Sequence, residues 1–150
     1  MASYMTFEPL VGNRAIEDAA IAYVMELERT AGREPADRRY EAAFAADIWS
    51  PPRTIEIKAV GKDQRGWFVP IESRQYDAAR SDPNFYLYVV DNIRQGDPSA
   101  FRLKVFGGQQ LQRLLEKAKK REYWEMPIPV AEFDAAPGPE AVSGGDADRR

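Results

Sequence analysis

At 150 residues, 44% apolar and 30% charged, the chain has the length and composition of one globular domain with a substantial core. It contains neither cysteine nor histidine, which excludes disulfide frameworks, zinc fingers, thiol nucleophiles and any mechanism that needs an imidazole base. The formal charge of -3 argues against indiscriminate nucleic-acid binding, and a bound metal must be a hard cation held by oxygen, such as magnesium, manganese or calcium.

Residues 1–12 read as an N-terminal arm, and the opening MASYMTFEPL has no basic region followed by an apolar stretch, so a cytoplasmic protein is expected. No apolar run approaches the roughly 18 residues needed to cross a bilayer. Gly12 and Asn13 are suited to cap the following helix, in which Ile16, Ala19, Ala20, Tyr23, Val24 and Leu27 recur at three-and-four spacing until Gly32. GREPADRRYEAA is a charged connection with room for a short helical turn, and FAADIWS is a short strand. RTIEIKAV is the clearest strand, with Ile55 and Ile57 on one face and Glu56 and Lys58 on the other.

GKDQRG then resembles a hairpin loop from which WFVPI returns as a strand. Ser73 is placed to cap a short helix, RQYDAAR, that ends before Asp82-Pro83. NFYLYVVDNI is aromatic and β-branched almost throughout, as expected of an interior strand buried on both faces. FRLKVF is a further strand and GGQQLQRLLEKAKKREYW a final helix. The spacing predicts an α/β domain over residues 13–134, a mixed sheet with helices packed against it, and a disordered tail over 135–150.

An acid and a base two positions apart arise by chance on the order of once in two chains of this length, so Glu56 and Lys58 alone read as a solvent-facing ion pair on a strand. Their setting points further. Asp47 ends a short apolar strand, and IWSPPRT is long enough to turn the chain so that Asp47 and Glu56 lie on neighbouring strands. Two carboxylates side by side repel unless a divalent cation lies between them, and Lys58 on the same face can orient water or stabilise charge on phosphorus. Glu17 stands at the margin of the first helix's apolar stripe, where it either joins the cluster or is accounted for by a neighbouring Arg14 or an outward rotamer.

These residues carry a resemblance. The chain resembles PD-(D/E)XK nuclease-like domains and, among them, the family named for the C-terminal domain of the plant protein NO VEIN. ADIWS resembles that family's aromatic-Asp-Ile-x-Ser strand, with Ala46 in place of the aromatic, and IEIK resembles its I-E-V-K. IESRQYDAA is similar to its I-T-P-N-E-W segment and FYLYVVDNI to its W-L-Y-V-V strand, all in order over about residues 12–110. The resemblance implies a restriction-endonuclease-like fold with Glu17, Asp47, Glu56 and Lys58 at the catalytic positions. Gln75 stands where relatives carry glutamate, an auxiliary position. Helicase, ATPase or other defence-type modules are the partners it implies, and homodimers are common in the superfamily.

The combined reading is a magnesium- or manganese-dependent DNA nuclease. Asp47, Glu56 and the Ile57 carbonyl would bind the metal, Lys58 would position water, and Glu17 would complete the shell. Lys62, Arg65 and Arg53 are the candidate phosphate contacts. The alternative is a catalytically inactive nuclease-fold module that binds DNA or a protein partner. Arg113, Lys117, Lys119, Lys120 and Arg121 read as a solvated helix face. Trp67, Phe85, Tyr86 and Tyr88 read as core packing rather than base-stacking platforms.

Overall fold

The computed structural model describes residues 6–144; the first five residues of the expected arm and residues 145–150 of the expected tail lie outside them. A long helix, α1 (Asn13–Thr30), is followed by three strands, β1 (Ala36–Asp37), β2 (Ile48–Ser50) and β3 (Arg53–Ala59). Helix α2 (Ser73–Ser81) leads to β4 (Phe85–Asp91), and a 3₁₀ turn (Pro98–Ala100) precedes β5 (Arg102–Phe106) and α3 (Gly108–Glu116). Two short helices, α4 (Val130–Ala135) and α5 (Glu140–Gly144), follow. Among the described residues, those up to Ala118 form one compact unit and those from Lys119 a second, which holds α4 and α5.

The five strands lie in one mixed sheet in chain order, β1-β2-β3-β4-β5, antiparallel except for the parallel pair β3–β4. Alternation along the strands assigns the two faces. Ile48, Ile55, Ile57, Tyr88 and Val90 pack against Ile16, Ala20, Ile21 and Val24 of α1. Phe85, Leu87 and Val89 turn the other way, onto Ala79 of α2 and Leu111 and Leu115 of α3. The burial of β4 on both faces follows from its run of aromatic and branched residues.

Four expectations are corrected. WFVPI is not a strand: Trp67 is 74% and Phe68 96% exposed, and the Gln64 side-chain amide donates to the carbonyls of both. Both edges of β3 are already taken by β2 and β4, and a parallel pair requires a crossover, so residues 60–84 supply that connection with α2 at its centre. Glu72, not Ser73, caps α2; its carboxylate accepts from the N3 amide while Gln75 Oε1 accepts from the Glu72 N–H at 3.2 Å. The final helix stops at Glu116, one residue past the last buried member of its stripe, Leu115, so Lys119, Lys120 and Arg121 lie outside it. The charged connection holds no helical turn but the two residues of β1, too short to leave a periodic signal.

The arm is fastened at its end, where Leu10 donates its amide to the Arg94 carbonyl at 2.7 Å. Gly96 makes room for it: its φ is +93°, and a Cβ there would run into the Glu8 carbonyl.

Behind β3 and β4, on the α1 side, lies a buried ionic network. Glu28, 2% exposed, continues the row Ile16-Ala20-Val24 at fourfold spacing. Arg33 grips it through Nε at 2.6 Å and Nη2 at 2.7 Å, and the Tyr88 hydroxyl donates to it at 3.1 Å. That hydroxyl in turn accepts from Arg53 Nη1 at 2.7 Å, and the Arg53 guanidinium lies 4.2 Å from the Tyr86 ring centroid. Burial alone would raise the Glu28 carboxyl, yet the bonds from Arg33 and Tyr88 and the neighbouring Ser50 hold it below its usual range.

Removing the buried carboxylate takes away the charged acceptor of the Arg33 fork and of the Tyr88 hydroxyl, although the Arg33 side chain itself is 23% exposed. Glu28→Gln is expected to cost about 2 kcal/mol of stability at pH 7 in denaturant-induced unfolding. A variant as stable as the parent would show that the network contributes nothing net.

Candidate active site

The site begins where two antiparallel strands part. β2 starts at Ile48, paired with Ile55, and the Asp47 amide still donates to the Ile55 carbonyl at 3.0 Å. One step further along β3, the Ile57 amide has no strand residue opposite it, and Asp47 Oδ2 accepts its proton at 2.8 Å. The Ile57 carbonyl projects from the same edge of β3, past the start of β2.

Glu56 points to the opposite face from Ile55 and Ile57, beside Leu87 of β4. It is 3% exposed, and its Oε1 is buried without a hydrogen-bond partner. Oε2 pairs with Lys58 Nζ at 3.1 Å. Asp47 lies near enough for the two carboxyl groups to perturb one another. Burial, and then the Asp47 charge, push Glu56 up to about 8, against which Lys58 pulls only partly. Asp47 is raised as well, by burial first, with the Ile57 amide acting against the rise. At neutral pH the pair therefore holds a proton.

Glu17 is brought near but not in. Its charge is close enough to raise Asp47 further, but its carboxylate, about half exposed, accepts from Arg39 Nη1 at 3.2 Å. Among the described residues, no three acidic side chains converge as a metal-holding group. A cation at this site would thus take two carboxylates and draw its further protein ligand from the backbone.

The remaining candidates separate. Lys62 and Arg65 are exposed on the loop after β3, which is anchored by Gln64 N donating to Asp91 Oδ2 at 3.0 Å. Arg53 lies on the α1 face of β3, opposite to Glu56, and is engaged with Tyr86 and Tyr88. Gln75 closes the α2 capping box. Of the aromatic residues expected in the core, Phe85 and Tyr88 are buried and Tyr86 half-buried; Trp67 is exposed, since its segment never joins the sheet.

Two arginine side chains and one backbone amide, none singled out by local pattern, brace the acids. Arg74 of α2 donates to the carbonyls of Ala42 and Phe44, on the approach to Asp47. The Arg38 amide donates to the Asp47 carbonyl at 2.8 Å, and Arg39 holds Glu17. All three lie in polar stretches with no periodicity, where partners can be assigned only in three dimensions.

A family model described as Protein NO VEIN, C-terminal matches residues 16–103, a span that includes Glu17, Asp47, Glu56 and Lys58. No curated protein and no solved structure matches the chain. No helix among the described residues is long and apolar enough to cross a membrane.

The raised Glu56 carboxyl makes stability depend on pH with a definite sign. Between pH 4.5 and about 8 the folded chain keeps a proton that the unfolded chain has released, so stability falls as pH rises across that window. Glu56→Gln, which cannot titrate, is expected to gain on the parent by on the order of 2 kcal/mol between pH 5 and pH 8.5 in denaturant-induced unfolding. Parallel pH profiles for the two proteins would show that Glu56 titrates normally.

Proposed function

Because the chain belongs to the NO VEIN C-terminal domain family and carries an acid pair beside a lysine, we propose that it is a metal-dependent DNA nuclease of the PD-(D/E)XK kind. One observation carries this reading: at the parting of β2 and β3, Lys58 Nζ lies 3.1 Å from Glu56 Oε2 while Asp47 Oδ2 accepts from the Ile57 amide at 2.8 Å, near enough for its charge to act on Glu56. The unpartnered, buried Glu56 Oε1 is the kind of group that a cation satisfies.

The donor set is all oxygen and fits Mg²⁺ or Mn²⁺, held by Asp47, Glu56 and the Ile57 carbonyl. When bound, the ion supplies Lewis-acid polarisation of a phosphodiester oxygen and lowers the pKa of water. Glu56 must first give up its proton, so binding strengthens as pH rises toward 8. The Lys58 ammonium, already beside Glu56, orients the attacking water and stabilises negative charge developing on the phosphoryl oxygens. Glu17 acts at one remove, through water. Lys62 and Arg65, exposed beyond the end of β3, contact phosphates of the DNA. Helicase, ATPase or defence-type proteins, or a second copy of the chain, are the partners that would bring the site to its substrate.

A second reading, a non-catalytic module that docks on DNA or a protein, is favoured by the near-complete enclosure of Glu56, whose side chain is only 4% exposed. Plasmid relaxation in Mg²⁺ and in Mn²⁺ separates the two. The parent is expected to nick DNA, and Lys58→Ala, purified in parallel, to do so at least about 100-fold more slowly. No cutting by the parent in either metal would defeat the nuclease reading. Equal cutting by both proteins would remove Lys58 from the chemistry.

A further inference from the structure

We infer that Arg39 is a positioning residue for the proposed metal site, fixing the Glu17 carboxylate of α1 relative to Asp47 through the β1 segment. The inference rests on the nuclease reading and adds to it a group with no direct contact to the acid pair.

The guanidinium is enclosed, its side chain 11% exposed, and its donors divide between two elements. Toward β1, Nε meets Asp37 Oδ1 and Oδ2 at 3.1 and 3.2 Å, and Nη2 meets Oδ2 at 2.9 Å. Toward α1, Nη1 reaches Glu17 Oε1 at 3.2 Å and Asp18 Oδ1 at 2.7 Å. The Tyr40 ring, 5.1 Å away, closes one side. Only a planar fork with several fixed donors can hold a strand acid and two helix acids together. The next residue back, Arg38, bonds the Asp47 carbonyl through its amide. Glu17 and Asp47, on elements separated by a long charged connection, are thereby fastened to the same four-residue stretch.

Without Arg39, Glu17, Asp18 and Asp37 would stand together as three uncompensated carboxylates. Glu17 and Asp18 are each about half exposed, and mutual repulsion would turn them toward water and away from Asp47. A site that uses Glu17 to hold metal-bound water would lose that acid although none of its own residues had changed.

Two roles for Arg39 predict opposite signs. As a bulk positive charge it weakens cation binding, so its removal tightens binding; as a positioning group it strengthens binding, so its removal loosens it. The test is Mn²⁺ titration of the full-length chain by calorimetry, for the parent, Arg39→Gln, Arg39→Lys, Glu17→Gln and the Arg39→Gln/Glu17→Gln double variant. Thermal unfolding of each protein is recorded beside it. Both Arg39 variants are expected to bind Mn²⁺ on the order of tenfold more weakly. Lys keeps the charge but lacks the fork, so it should not rescue. The double variant is expected to bind no more weakly than Glu17→Gln alone, since both changes remove one effect. Unchanged or tighter binding in the Arg39 variants, or losses that add in full, would overturn the inference. If Arg39→Gln does not fold, Arg39→Lys and Asp37→Asn, which frees the guanidinium from β1, decide the matter with the same expected weakening. A parent that binds Mn²⁺ and cuts DNA beside Arg39 variants with parental affinity defeats this inference alone. A parent that neither binds nor cuts defeats the nuclease reading and this inference with it.

Discussion

Where β2 begins, at Ile48, the next amide of β3 has no backbone acceptor, and the Asp47 carboxylate serves as one at 2.8 Å. A buried amide left open there would cost roughly 1–3 kcal/mol, so the sheet itself holds the acid in place. The position of the carboxylate then dictates the rest. It sets Asp47 against Glu56, leaves the Ile57 carbonyl on an open edge, and gives Arg38 and Arg74 a fixed chain to brace. The site is built from the way the sheet ends.

The two faces of β3 handle buried charge in opposite ways. Behind it, Glu28 is saturated: Arg33 forks onto it, Tyr88 donates to it, and Arg53 supports Tyr88. Those bonds outweigh desolvation and keep the carboxylate ionised. In front, Glu56 has one lysine, an acidic neighbour and an oxygen with no partner, and it answers burial by keeping its proton. The first arrangement is closed and supports the packing of α1. The second leaves Glu56 Oε1 without a partner and its carboxyl group protonated rather than paired.

Much of this was legible beforehand, and for identifiable reasons. The alternation of RTIEIKA marks β3 and puts Glu56 and Lys58 on one face; the unbroken apolar character of FYLYVV marks an interior strand; the tight turn between β2 and β3 brings Asp47 alongside β3, where it accepts from the Ile57 amide. Glu17 came near the cluster, as its place on the margin of the α1 stripe suggested, but Arg39 rather than Arg14 claimed it. Glu28 was visible in principle as the next member of the row Ile16-Ala20-Val24, yet nothing local named Arg33 and Tyr88 as its partners. WFVPI has a strand-like composition, but both sides of β3 are occupied by β2 and β4, so it cannot pair back onto the strand it follows. Local pattern reports what a segment is suited for, and the topology decides whether a place exists.

The β2–β3 pairing also has kinetic meaning. Asp47 and the Ile57 amide are ten positions apart, whereas the parallel ladder joins Thr54 to Phe85 and Ala59 to Val90 across the whole α2 crossover. The entropy of closing the hairpin is small, and that of the parallel pair is large and is recovered only when its long-range contacts form. Closing the hairpin therefore costs less chain entropy than closing the parallel pair, and the hairpin alone covers only one edge of the strand that carries Glu56. The burial of Glu56 depends instead on β4, and on the side of the sheet that α2 and α3 pack against. The perturbed acid is thus a product of the long-range contacts of the fold, and a change that loosens the crossover or α3 would relieve it without touching the site.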